Sequence, residues 1–553
     1  MGRYSHEVAD EVEEGRRALA TANWAAARRS FEAALLASET PSARDGLGQA
    51  LWWLGEIELS LEHRERAYAE YVRSGDRVEA ARIALWISQE YGAAYGNAPA
   101  SAGWLARADR LLNGAPPCIE HGWLLVARGF NMVEDATQAE RVATEALEIA
   151  MAHGDRDLEV CALGQIGRAM LWQGHTNEGF ARLDEAMAAA TGGEVRDPRA
   201  IAMTCCVMIA ACERAMAIER TTQWCQITDR FTRQRNFKPL FAFCRVTYAA
   251  VLIRLGRWAE ADRELGVAGA AFEMTHPSMR VLALAKLAEL RLLQGREAEA
   301  EELLRGREDD RLAVRPMIML RLARGEADVA AALADRRLDT MSGNPLFAAS
   351  TLELAVEAFL ASGDLPRARE ATEVLARFGR KAALPMIQAS ADYCAGLNAL
   401  AASEHADARA QFERAIDGYR TVGMPLEEAR ARLGLARALI GKSVEAAKAA
   451  ARASLAAFES LGAARDVDDA AAFLRTLGVG TPGGPRLRGI LSAREHEVLL
   501  LLPLGLSNAQ IGARLFISPK TVEHHVGKIL AKLDLKTRAA AAAYATRIES
   551  GRK

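Results

Sequence analysis

The sequence lacks long apolar runs. None of its stretches approaches the roughly eighteen apolar residues that a membrane-spanning helix needs, and the nearest, "VLLLLPLGL" at 498–506, contains a proline. The amino-terminal "MGRYSHEVADEVEE" is acidic and has no apolar core, so it does not match a secretory signal. These absences predict a cytoplasmic protein without a membrane partner.

Paired cysteines are missing as well. The eight cysteines, at 118, 161, 205, 206, 212, 225, 244 and 394, form no C-x-x-C pair and have no histidine beside them at zinc-ligand spacing. No metal site is therefore predicted, and we interpret the cysteines as reduced thiols of a core. Because five of them fall between residues 205 and 244, a thiol-based sensor is the alternative.

Motifs of common enzyme classes are also absent. The sequence has no G-x-S-x-G nucleophile motif, and its G-K-S at 441–443 has Ala436 where the phosphate-loop pattern requires a glycine. The surrounding pattern is helical, so Gly441 is interpreted as a turn residue between helices. We expect no enzymatic activity and no cofactor.

Runs of alternating β-branched residues are scarce, whereas apolar residues recur at helical spacing from residue 8 to about 476. Glycines follow a recurring "LxxxG" at Gly256, Gly295, Gly325 and Gly363, with separations of 39, 30 and 38 residues. This period is close to that of one helix-turn-helix repeat unit. The pattern predicts an all-α chain of stacked helical hairpins.

Small residues occupy the positions where paired helices would approach each other. An alanine stands five residues after Gly256, Gly295 and Gly363, and "TANWAAARRSFEAAL" at 21–35 puts Trp24, Ala27, Phe31 and Ala34 on one face. These units resemble degenerate tetratricopeptide repeats, although none carries the full signature. The resemblance implies a solenoid over residues 1–477 whose concave groove binds a protein or peptide partner.

The helical pattern breaks at "GVGTPGGPRLRG", residues 478–489, where glycines and prolines predict a flexible linker. Residues 490–553 would then form a separate domain. From Pro485 onward the chain has twelve Lys and Arg against five Asp and Glu, a net charge of +7, so the remaining residues carry −9 of the total −2. The nearly neutral total conceals a basic terminal domain suited to a polyanion.

Four short helices are predicted in this domain. Ser492 with Glu495, and Ser507 with Gln510, have the spacing of capping boxes. Ser518 before Pro519 supplies a cap and a first-turn proline, and a fourth helix can begin after Thr537. Only "FIS" separates the second and third helices, with Ile517 at the corner, which is typical of a helix-turn-helix.

The third of these helices has three distinct sides when residues 520–533 are projected at 100° per residue. Its core side is formed by Val522, Val526, Ile529, Leu530 and Leu533. We call the opposite side the front, formed by Lys520, Glu523, His524 and Gly527, and the side between them the flank, formed by Thr521, His525, Lys528 and Lys532. Such a helix suits entry into the DNA major groove, with its front at base edges and its flank at phosphates.

The segment 491–543, "LSAREHEVLLLLPLGLSNAQIGARLFISPKTVEHHVGKILAKLDLKTRAAAAA", resembles the LuxR-type helix-turn-helix of bacterial transcription regulators. The resemblance rests on fixed-spacing matches such as Arg494-Glu495, Gly505-Leu506-Ser507-Asn508, Thr521-Val522 and the closing Arg538. It implies base readout by the front and backbone contacts by the flank and Asn508. Glu523 and Gly527 depart from many relatives, so the preferred DNA sequence does not transfer; Glu523 could accept from a cytosine amino group or simply be solvated.

Repeats followed by this domain resemble the large MalT-like regulators, without their nucleotide-hydrolysing module. The sequence therefore predicts a tetratricopeptide-like solenoid followed by a four-helix LuxR-type domain. The predicted function is sequence-specific binding of double-stranded DNA by a regulator that senses a signal or partner through its repeats. A homodimer on DNA is expected, because the Ala-rich stretch 539–543 lies where two domains meet in the family. The alternative is a repeat scaffold whose terminal domain is only a protein contact.

Overall fold

The computed structural model describes residues 2–550, apart from 94, 133, 134, 216, 236, 237, 276, 309, 340–344, 480–492, 516, 517, 534 and 536. The described residues form α-helices, two short 3-10 helices and connecting turns, with no strand among them. The chain divides into two compact units, Met1–Arg465 and Asp466–Lys553. The predicted all-α class is confirmed.

Most of the chain is a succession of helices that are each a few turns long. In chain order they are α1 (Gly2–Ala20), α2 (Trp24–Ala37), α3 (Pro41–Leu54), α4 (Ile57–Ser74), α5 (Arg77–Ala93), α6 (Ala98–Leu112), α7 (Ile119–Asn131), α8 (Ala136–His153), α9 (Arg156–Gln173), α10 (Thr176–Gly192), α11 (Pro198–Ala215), α12 (Ile218–Arg235), α13 (Lys238–Arg254), α14 (Trp258–Thr275), α15 (Arg280–Leu293), α16 (Glu297–Leu304), α17 (Val314–Ala323), α18 (Ala327–Asp339), α19 (Pro345–Ala361), α20 (Leu365–Ala382), α21 (Pro385–Ala401), α22 (His405–Thr421), α23 (Pro425–Ala438), α24 (Val444–Leu461) and α25 (Ala464–Thr476). A 3-10 turn, Pro277–Met279, precedes α15.

Local chemistry fixes where these helices end. The four predicted turn glycines have φ between +72° and +83°, a left-handed conformation that closes a helix and that other residues adopt only with strain. The alanines five residues later, Ala261, Ala300, Ala330 and Ala368, are fully buried. Glycine thus ends one helix of each hairpin, and alanine allows the next helix to pack closely against the one before.

The helices of the first unit form two layers. Each consecutive pair from α1 to α24 packs together, and from α5 to α23 every odd-numbered helix also contacts the next odd-numbered helix. Even-numbered helices show no comparable mutual packing in the described part of the chain. The odd-numbered helices therefore form the inner layer of a solenoid and the even-numbered helices the outer layer.

Contacts also connect helices that are about ten positions apart. Helix α3 contacts α13, and α19 contacts both α9 and α11. Between α13 and α23, Arg254 donates to Glu427 at 2.8 Å, and both side chains are largely buried. Successive turns of the solenoid thus meet across its inner side, so the groove that the sequence predicted as an open concave surface is partly covered by the solenoid itself.

Buried aromatic rings set the spacing between neighbouring helices. Phe412 on α22 is fully buried between glycines on α21 and α23, and a Cβ on Gly396 or Gly434 would lie 2.7 or 2.5 Å from its ring. Phe31 on α2 lies in the same way between Gly15 and Gly46. Glycine is required at these positions because the ring occupies the space of a side chain.

The predicted turn at Gly441 is confirmed. It lies between α23 and α24, and the Ser443 hydroxyl accepts from the Ala446 N–H at 3.3 Å to cap α24. Ala436 is buried inside α23.

Five of the eight cysteines are buried: Cys161, Cys205, Cys212, Cys244 and Cys394. Burial raises the pKa of Cys205 and of Cys212 to about 12, so little reactive thiolate exists at neutral pH. The core interpretation is confirmed for these five residues.

The second unit holds the terminal helices α26 (Ala493–Leu501), α27 (Asn508–Leu515), α28 (Pro519–Lys532) and α29 (Arg538–Ser550), with a 3-10 turn, Leu502–Leu504, after α26. The four predicted helices are confirmed. The predicted linker 478–489 lies almost entirely outside the described residues, and the boundaries at 477 and 490 stay predictions.

Candidate DNA-binding interface

Serine and threonine side chains set the start of the terminal helices. The Ser507 N–H donates to Gln510 Oε1 at 2.8 Å, and the Gln510 N–H donates to Ser507 Oγ at 3.3 Å. These reciprocal bonds form the predicted capping box of α27. The predicted box at Ser492 lies outside the described residues.

Helices α28 and α29 have caps of the same kind. Ser518 Oγ accepts from the Thr521 N–H at 3.1 Å, and Thr537 Oγ1 accepts from the Ala540 N–H at 3.1 Å. Pro519 is the first residue of α28, where its missing N–H removes no helical hydrogen bond. The start of α28 is therefore fixed by its own first turn. Ile517, predicted to fill the corner before it, is outside the described residues.

The predicted core side of α28 is confirmed. Val522, Val526 and Ile529 are buried, and Leu530 and Leu533 are partly buried against the same cluster. The fully or nearly fully buried members of this small core are Val498, Leu499, Leu502, Ile511, Val522, Val526, Ile529, Ala541 and Ala545. Residues from all four helices form this core. Because α28 packs against it along one side, the orientation of α28 within the domain is fixed.

The front of α28 is exposed along its length. Lys520, Glu523, His524 and Gly527 all lie on the surface. A Cβ built on Gly527 would have no described atom within 4 Å, so no packing contact inside the chain requires glycine there. The front therefore offers an ammonium, a carboxylate and an imidazole around a position without a side chain.

The flank is more varied. Thr521 and Lys528 are exposed, and His525 is half-buried. The Thr521 and Ser518 hydroxyl oxygens are 2.7 Å apart, so the hydroxyl of Thr521 also takes part in the cap. The side chain of Lys532 lies outside the described part of the structure.

Asn508 has a role in the domain that the sequence did not indicate. Arg538, at the start of α29, donates to Asn508 Oδ1 at 2.6 Å and to the Leu506 carbonyl oxygen at 2.7 Å. The guanidinium thereby joins α29 to the loop that leads into α27. The sequence shows Arg538 only as the closing residue of a family pattern, because a contact across 30 residues leaves no periodic signal.

The described residues lack two further features, a metal site and a membrane-spanning helix. Among the described residues, no group of three or more His, Cys, Asp or Glu side chains could hold a metal ion. No described helix combines the length and apolar character needed to cross a bilayer.

Comparison with known proteins identifies the terminal domain. The family model described as "Bacterial regulatory proteins, luxR family" matches residues 489–545. The chain is 49% identical over 57 residues to the transcriptional regulatory protein LiaR of Bacillus subtilis, a match covering 10% of this chain and 27% of LiaR. It is 37% identical over 99 residues to the DNA-binding transcriptional activator DevR/DosR of Mycobacterium tuberculosis, covering 17% and 45%. The chain thus spans less than half the length of either relative.

A solved structure resembles the chain more broadly but weakly. The crystal structure of the APC/C hetero-tetramer Cut9–Hcn1 covers 96% of this chain and 95% of its own, with a TM-score of 0.45 and 13% sequence identity. The LuxR-type helix-turn-helix domain at the carboxyl end of the chain is shown by the family match and the two relatives.

Proposed function

We propose that this chain is a sequence-specific DNA-binding transcriptional regulator and that α28 is its recognition helix. The observation that carries the proposal is the division of α28 into a buried aliphatic side and an exposed front within a domain of the LuxR family. A major groove about 12 Å wide admits one α-helix. The front would then face base edges while the core side remains in the protein.

The chemistry of the front suits base readout. Lys520 and His524 can donate to the N7 and O6 acceptors of guanine, and Glu523 can accept from the cytosine amino group. Gly527 lets the helix axis approach the bases. The side chains of the flank, His525 among them, would contact phosphates, which set register and affinity without reading sequence.

Asn508 is less available than the flank residues for contact with the DNA phosphate backbone. Its side-chain oxygen already accepts from Arg538, so we propose that it acts on DNA chiefly by holding the amino end of α27 in place. Phosphate contact at this point would come from the exposed start of the helix.

The helical repeats would supply the input to this regulator. We propose that their inner layer receives a signal or a protein or peptide partner, and that the protein binds DNA as a homodimer. Two copies would let the domain bind two half-sites, as helix-turn-helix proteins commonly do.

The competing function is a repeat scaffold whose terminal domain contacts only protein. Titration of the full chain into a labelled random duplex at 50 mM salt separates the two functions. A regulator binds the duplex through its charges even without its operator, whereas a scaffold leaves the duplex unbound. Selection of bound fragments from a random-sequence pool would then give the operator, and a pool without enriched sequence would contradict sequence-specific regulation.

A further inference from the structure

One side of α9 carries polar groups into the inner layer of the solenoid. Gln165, Arg168 and Trp172 are spaced three and four residues apart and share this side. The other side of α9 lies against the outer-layer helix α10, where a Cβ on Gly167 would be 2.6 Å from the Gly179 carbonyl oxygen. The three side chains therefore face inward, and α19 from the adjoining turn also contacts α9.

Arg168 is held among aromatic rings. Its guanidinium carbon lies 4.4 Å from the ring centroid of Trp172 and 4.9 Å from that of Phe130. One terminal nitrogen donates to the Gly129 carbonyl oxygen on α7 at 2.9 Å. These contacts fix the plane and position of the group.

The positive charge of Arg168 is buried in unusual surroundings. The residue is only 8% exposed, and its Nε is buried without a hydrogen-bond partner among the described residues. Burial, followed by the positive charge of Arg214, lowers the pKa of Arg168 to about 9. A buried guanidinium usually has a carboxylate beside it, and here the charged group that acts on it is a second arginine.

Gln165 adds a second unsatisfied group. It is 2% exposed, and both its Nε2 and its Oε1 lack a hydrogen-bond partner in the described part of the chain. An unsatisfied buried amide lowers the stability of the folded chain, which is a cost. A packing role alone does not explain an amide here, since leucine fills a similar volume without that cost.

The site also has an apolar wall near the surface. Phe130, which flanks the guanidinium, is 48% exposed, whereas Trp172 on the other helix is buried. A molecule with a flat apolar body could contact the Phe130 ring while its charged end reaches Arg168. The site thus combines donors and positive charge with an aromatic surface.

We propose that Gln165 and Arg168 form a binding site for a small aromatic carboxylate. Its carboxylate would accept from Arg168 Nε and Gln165 Nε2 and would offset the charge of Arg168. Its ring would pack against Phe130. Binding itself is independent of DNA, whereas its use as the regulator's signal rests on the function proposed above.

Calorimetric titration of the full chain, without DNA, tests the site. The probes are benzoate, the neutral benzamide of nearly the same shape, and inorganic phosphate. We expect benzoate to bind and benzamide to bind at least tenfold more weakly, because only the carboxylate compensates the guanidinium. Absence of benzoate binding at millimolar concentration, or equal binding of benzamide or phosphate, would overturn the proposal while leaving DNA binding intact.

Two variants and a control locate the binding. Arg168→Gln should weaken benzoate binding at least tenfold, and Arg156→Gln, which removes an exposed arginine from the same helix, should leave it unchanged. If Arg168→Gln fails to fold, Gln165→Leu provides the same test. The Gln165→Leu variant should have a higher thermal stability without ligand and should bind benzoate at least fivefold more weakly. Unchanged benzoate affinity in folded Arg168→Gln, or in Gln165→Leu, would contradict the assignment.

Discussion

At the scale of single residues, the terminal domain separates groups that hold the fold from groups that face outward. Ser507, Ser518 and Thr537 cap helices through bonds to backbone N–H groups three residues on. By contrast, His524 and Lys528 on α28 are exposed. Substitutions at these two positions should therefore change binding without unfolding the domain, and they can be compared directly.

The front and the flank should respond differently to substitution. His524→Ala should change which duplexes are preferred, by roughly tenfold between best and altered sites, because a base contact contributes about 1–3 kcal/mol of discrimination. Lys528→Ala should weaken binding to all duplexes alike and lower the salt slope by about one. Lys532→Ala should act like Lys528→Ala. Competition binding with a set of duplexes measures both effects, and identical patterns for the two sides would contradict their assignment.

Glu90 on α5 is predicted to make stability depend on pH. It is 2% exposed, and burial raises its pKa from 4.5 to about 7 despite the opposing charge of Arg64. Between about pH 4.5 and 7 the folded chain keeps a proton that the unfolded chain releases. This contribution is therefore most favourable below pH 4.5 and is lost as pH rises to 7.

Glu90→Gln removes the titrating group. Relative to the wild type, the variant should gain melting temperature as pH rises from 5 to 8, because its amide carries no charge to desolvate. Glu62→Gln, at an exposed position on α4, should not alter the pH dependence. Thermal melts across this range measure the difference, and parallel curves for Glu90→Gln and the wild type would show that Glu90 does not titrate as described.

At the scale of helices, glycine acts in two separate ways in the repeats. At positions such as Gly363 it supplies positive φ and ends a helix. At Gly434 it leaves space inside a helix for the ring of Phe412. The first role is visible in the sequence from the recurring spacing. The second depends on a contact with a neighbouring helix and could not be seen there.

Gly434→Ala tests the second role. The new methyl would lie about 2.5 Å from the Phe412 ring, so we expect a loss of about 1–3 kcal/mol in the free energy of unfolding. Gly103→Ala, in α6 where a Cβ would have no described atom within 4 Å, should instead gain up to about 1 kcal/mol of helix propensity. Chemical denaturation measures both variants, and equal effects would show that the ring does not constrain Gly434.

At the scale of the whole molecule, charge is distributed unevenly along the chain. Residues from Pro485 onward carry +7 and the rest −9. Lysines and arginines that meet phosphates release condensed counterions, so affinity depends steeply on salt. The acidic remainder gives no such attraction, and the terminal domain alone should set the salt response.

The full chain should therefore lose duplex affinity by at least tenfold between 50 and 200 mM salt. A slope of log affinity against log salt of about −3.6 or steeper is expected if at least four phosphates are contacted, at about −0.9 for each. Fluorescence anisotropy with one fixed duplex gives the slope. A flat response over this range would exclude the proposed contact with the phosphate backbone.

The sequence by itself determined the helices and the sides of α28, because caps, turns and apolar periodicity act over three or four residues. Only the tertiary structure decided what lies farther apart: the partner of Arg538, the ring beside Gly434, the surroundings of Arg168, and the meeting of α13 with α23 across one turn of the solenoid. The meeting of α13 with α23 depends on small rotations added from repeat to repeat. No local sequence pattern indicates the total rotation over several repeats.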